Sequence, residues 1–105
     1  LDANTVSSML EVRAAIDALD VQIVTLLGTR LRFIEAASRI KPVKEAVRDE
    51  PRKRDVLDKA MATAEKVNFP PKLMEDIYEV LVEGCINYEG VKFDEREAAK
   101  ENGEQ

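Results

Sequence analysis

Apolar residues return at steps of three and four through the first forty positions: Met9, Val12, Ile16, Leu19, Ile23, Leu26, Leu27, Ile34 and Ala37. That spacing lays them along one side of a helix predicted from Val6 to about Lys41, where Pro42 ends it. Ser7 or Ser8 can cap its start, with Glu11 supplying the reciprocal acidic group three residues after Ser8. Gly28 weakens the middle by roughly 1 kcal/mol relative to Ala without breaking it. After a loop or short turn over residues 43–50, a second helix is predicted from near Pro51 to Val67 or Asn68. Asp49 is its N-cap and Pro51 takes an early position. Val56, Leu57, Ala60, Met61 and Ala64 form its apolar face.

Asn68-Phe69-Pro70-Pro71 marks the next boundary, and Pro71 begins a third helix running to about Phe93. Leu73, Ile77, Leu81 and Cys85 carry its pattern on to Tyr88 or Glu89, helped by Met74, Tyr78, Val82 and Ile86. No repeat or linker divides the chain. The expectation is one all-α domain of three helices over residues 1–105, with a polar, flexible tail after about residue 94.

The first helix is too long to be satisfied locally. It extends about 50 Å at 1.5 Å per residue, while a domain of this size has a radius of gyration near 13 Å, as an order of magnitude. Two short neighbours cannot cover so long a stripe. An intertwined homodimer is the economical arrangement.

Composition narrows the chemistry. The chain is 45% hydrophobic and 35% charged, which favours a folded, soluble protein over disorder. Its net charge of -5 disfavours bulk attraction to nucleic acid or acidic membranes. With no histidine and the single Cys85, a tetrahedral zinc site is not expected, and Cys85 reads as a core thiol with no base to activate it. No apolar run approaches the ~20 residues that span a bilayer. A cytoplasmic protein without a structural zinc site is the expectation.

Against this acidic background Arg13, Arg30, Lys41 and Arg52 stand out. Arg30 and Lys41 differ by only ~20° around the helix and ~16 Å along it, so their long side chains can converge on one ligand. Arg13 lies ~25 Å before Arg30 on the same helix, but an antiparallel partner could bring its own Arg13 alongside. Arg52 sits at the start of the second helix, where backbone N–H groups also favour an anion. Glu89, in an apolar stretch of the third helix, can close such a pocket. Each has a plainer alternative: a surface ion pair for Arg13, a solvent contact beside Arg32 for Arg30, and dipole compensation at a helix end for Lys41. Arg52 can belong to the crowded basic set with Arg48, Lys53 and Arg54, and Glu89 can be an exposed residue near a fraying end. Tyr78 and Tyr88 read as packing residues.

Ordered segments sharpen the choice. Val12-Arg13-Ala14-Ala15-Ile16-Asp17-Ala18-Leu19-Asp20, then Ile23-Val24-Thr25-Leu26-Leu27-Gly28-Thr29-Arg30, resemble the opening of the all-helical chorismate mutase family. Ala36-Ala37-Ser38-Arg39-Ile40-Lys41 looks most like its isochorismate-pyruvate lyase branch, and residues 48–57 resemble the start of the family's second helix. The likeness covers about residues 6 to 93. It implies an intertwined homodimer with two shared active sites and no cofactor. By that comparison the partner's Arg13 and this chain's Arg30 bind substrate carboxylates. Lys41 binds a carboxylate or the ether-oxygen region, and Arg52 closes over and orients the substrate. Glu89 looks aligned with the family's glutamine or glutamate at the ether oxygen, where its protonated form is the useful one. Asp49 and Lys53 complete the expected substrate-binding set, with Lys41 and Glu89 catalytic.

The chain departs from the pattern at two positions. Many mutases of the family carry a glutamate, which binds the chorismate hydroxyl, where this chain has Lys53; the lyase branch also lacks it. Glu89 in turn replaces the glutamine expected at the lyase ether site. The leading expectation is rearrangement of chorismate to prephenate. The alternatives are isochorismate-pyruvate lyase activity, giving salicylate and pyruvate, and a noncatalytic dimeric anion-binding module.

Overall fold

The computed structural model describes residues 2–103. It contains α1 (Met9–Ile40), a short 3-10 turn (Lys44–Ala46), α2 (Glu50–Lys66) and α3 (Pro71–Gly103). The protomer is all-α with three helices, and the helix boundaries follow the local chemistry. Ser8 Oγ accepts from Glu11 N–H at 3.2 Å, which caps α1; the Glu11 carboxylate takes the Ser7 and Ser8 hydroxyls. Gly28 leaves α1 unbroken. Lys41 N–H still bonds the Ala37 carbonyl at 3.0 Å before Pro42 stops the ladder.

The α2 helix starts where Asp49 Oδ1 accepts from Arg52 N–H at 3.0 Å, a cap worth about 1 kcal/mol. It ends in a left-handed residue, Asn68 at φ 59°. There Phe69 N–H bonds the Ala64 carbonyl at 2.9 Å and Asn68 N–H bonds the Glu65 carbonyl at 3.4 Å. These two bonds form a Schellman reversal, and asparagine tolerates the left-handed region better than most residues. Pro71 then opens α3.

The chain forms two compact bodies, one ending at Phe33 and the other beginning at Ile34. The first is built on α1 up to Phe33. Its stripe is uncovered in the protomer: Ile16, Leu19, Ile23 and Leu26 are each half exposed or more. The second holds the end of α1, the 3-10 turn, α2 and α3. Its core is Val47, Leu57, Ala64, Val82 and Phe93, all buried. Leu57 and Ala64 are seven residues apart on one face of α2, which packs against α3. The two helices run antiparallel, because Lys53 pairs with Glu79 and Glu83 while Arg54, one residue on, pairs with the earlier Glu75.

Helix α3 outlasts its apolar pattern by ten residues. Beyond Phe93 it continues to Gly103 on positions that are exposed except for the half-buried Arg96, with Lys92–Glu95 and Lys100–Glu97 pairs at 3.3 Å. Good helix formers and pairs three residues apart carry it there. Among the described residues no helix is long and apolar enough to cross a membrane.

Candidate functional site

Lys41 and Glu89 meet within the second body. Lys41 Nζ donates to Glu89 Oε2 at 2.7 Å, joining the end of α1 to α3 across 48 residues of sequence. Glu89 is only 4% exposed and Lys41 is half-buried. The alternative of Glu89 as an exposed residue near a fraying end therefore fails: helix continues on both sides of it and its side chain faces inward. A buried carboxylate needs its cation, since removing either partner leaves an uncompensated charge in a poorly solvated place.

One turn before Lys41, Ser38 is 1% exposed and its Oγ has no hydrogen-bond partner. Tyr88 donates a short hydrogen bond to Glu35 Oε2 beside the Lys41–Glu89 pair in sequence. Tyr88, expected to pack, is half-buried, and its hydroxyl also makes a second polar link from the end of α1 to α3.

The start of α2 carries a separate charge cluster. Arg48 grips Glu83 with both terminal nitrogens, at 3.1 and 2.6 Å, and also reaches Glu50 at 2.8 Å. Lys53 donates to Glu79 and Glu83 at 2.6 Å each. Hydrogen bonds from Arg48, then from Lys53, hold the Glu83 carboxyl down at about 2, well below its ordinary 4.5. The same contacts raise Lys53, with Glu79 the larger cause and Glu83 next. Glu83's folded value lies below its unfolded one, so its contribution is complete above about pH 4.5 and is lost as pH falls toward 2. Acid titration followed by circular dichroism should show Glu83→Gln less stable than the parent at neutral pH. The difference should shrink through that window, and a difference constant with pH would refute the assignment.

The remaining expected residues take these places. Arg52 pairs with Asp55 at 2.7 Å on the exposed side of α2, and Asp49 serves as the cap of that helix. Arg13 is exposed and Arg30 half-buried, both on α1 in the first body. Thus Lys41 and Glu89 are in direct contact, while Lys53 and Arg52 are engaged by other carboxylates. The sequence reading missed Ser38, the Glu35–Tyr88 bond and the Arg48–Glu83 clamp. The only local signal for Ser38 was a hydroxyl following Ala36-Ala37, three residues before Lys41. Nothing local could pair Arg48 with Glu83.

The pair can do two things chemically. It can present an ammonium and a carboxyl to one oxygen of a ligand, and it can exchange its internal bond for bonds to that ligand. Residues 12–90 match the family described as Chorismate mutase type II. No curated protein matches the chain.

Proposed function

The chain belongs to the chorismate mutase type II family, and on that premise we propose that it rearranges chorismate to prephenate in a homodimer with two shared sites. The observation that carries this reading is the buried contact between Lys41 and Glu89. It puts the expected ether-oxygen pair together from two separate helices.

The reaction is intramolecular, so the protein's task is to hold the enolpyruvyl arm over the ring in a reactive conformation. Arg30 and the partner's Arg13 take the carboxylates, for which the planar guanidinium fork is well shaped. Arg52 releases Asp55 and closes over the substrate. Lys41, with Glu89 beside it, stabilises negative charge as it develops at the ether oxygen. No covalent nucleophile is needed. The uncovered stripe of Ile16, Leu19, Ile23 and Leu26 supports the dimer, because a partner helix would remove it from water.

Lys53 favours a second reading. It stands where many mutases carry the glutamate for the chorismate hydroxyl, and its two bonds go to Glu79 and Glu83. Without that acceptor, the same arm positioning would also serve hydrogen transfer and carbon–oxygen cleavage of isochorismate to salicylate and pyruvate. Incubation of the purified protein with each substrate separately decides between them. Prephenate supports the mutase, salicylate with pyruvate the lyase, and no turnover of either leaves the noncatalytic anion-binding module.

The role given to Glu89 has its own signature. Glu89→Gln keeps a neutral hydrogen-bond donor of the same length beside Lys41 and should remain active, whereas Glu89→Leu offers none and should lose most of the turnover. Full activity in Glu89→Leu would remove Glu89 from the ether site.

A further inference from the structure

Ser38 is the buried polar group that this mechanism leaves unused. Hydroxyls inside these helices otherwise bond the carbonyl four residues back: Thr25 to Val21 at 2.6 Å, Thr29 to Thr25 at 3.3 Å and Thr63 to Lys59 at 3.0 Å. Ser38 makes no such bond to Ile34, although at 1% exposure it is shut away from bulk solvent. A hydroxyl without water or partner is destabilising, and alanine would fill almost the same space without that penalty. The orphaned atom also lies in a particular place. Residues three apart on a helix are neighbours, so Ser38 adjoins Lys41, whose ammonium is bonded to Glu89. Glu35, one turn earlier on α1, accepts from Tyr88 of α3.

We propose that Ser38 is a substrate-contacting residue, its hydroxyl donating to an oxygen of the enolpyruvyl arm at the end held by Lys41. This rests on the site reading above. The chemistry suits the position. Carboxylate and ether oxygens are acceptors only, and a carboxylate offers more lone pairs than one ammonium can fill. A hydroxyl adds a donor there without burying another charge. The folded protein carries an unsatisfied hydroxyl in the free state and satisfies it on binding.

Stability and activity should therefore move in opposite directions on substitution. Ser38→Ala should lower kcat/KM about tenfold, the size of one lost hydrogen bond, while the Tm of the free protein holds or rises. Ser38→Cys, similar in shape but a weak donor, should fall between the two. Wild-type kcat/KM in Ser38→Ala would overturn the proposal, as would an activity loss that tracks a lowered Tm. Both results leave the enzyme reading intact, provided the parent turns over. A parent inert toward chorismate and isochorismate overturns that reading and this one together.

Discussion

Lys41→Ala should lower kcat/KM by roughly 10²–10³, the range seen when a preorganised donor to a developing oxyanion is removed. The same substitution should destabilise the fold, because it strands Glu89 at 4% exposure without its cation. Breaking a buried pair costs about 3–5 kcal/mol, and the lower end applies here because Lys41's side chain keeps 28% exposure. The two losses separate in a double variant. Adding Glu89→Gln to Lys41→Ala removes the stranded charge, so urea denaturation should recover most of the stability while turnover stays low. If turnover recovers together with stability, Lys41 acts through the fold and not on the substrate.

The second large effect tests whether the sites are shared. Arg30→Ala and Arg13→Ala should each be nearly inactive with helicity intact. When equal amounts of the two are unfolded together and refolded, each mixed dimer should regain one site free of both substitutions. Random pairing of a two-fold dimer then restores roughly a quarter of parental activity. Recovery should be absent when the variants are refolded separately and then combined without exchange. No recovery in a verified mixed dimer would show that each chain builds its site alone.

Much of this fold was legible because its signals are local. The three- and four-residue steps located all three helices, and Asp49, Asn68 and Pro71 marked ends that the structure puts within a few residues of the expected places. The extent of α3 was not legible from the same signal. Residues 94–103 have no apolar stripe, and their helix depends on propensity and exposed ion pairs instead. The site divides in the same way. Helix register brought Lys41 to the end of α1 and Glu89 to an inward position of α3, and family resemblance joined them. The partners of Lys53 and Arg48 were out of reach, since Glu79 and Glu83 meet them only through the packing of α2 on α3. Ser38 was missed because a serine beside alanines reads as ordinary small-residue packing until its hydroxyl is seen to be unsatisfied.

The reversal at Asn68 bears on how this chain tolerates sequence drift. Its backbone lies at φ 59°, where glycine would be comfortable and a β-branched side chain strained. The same few residues set the phase between two antiparallel helices, so a slip there would carry Lys53 past Glu79 and Glu83. One of the narrowest choices of amino acid thus falls on a solvent-facing position far from any chemistry, in a place where a mutational scan would ordinarily look for freedom.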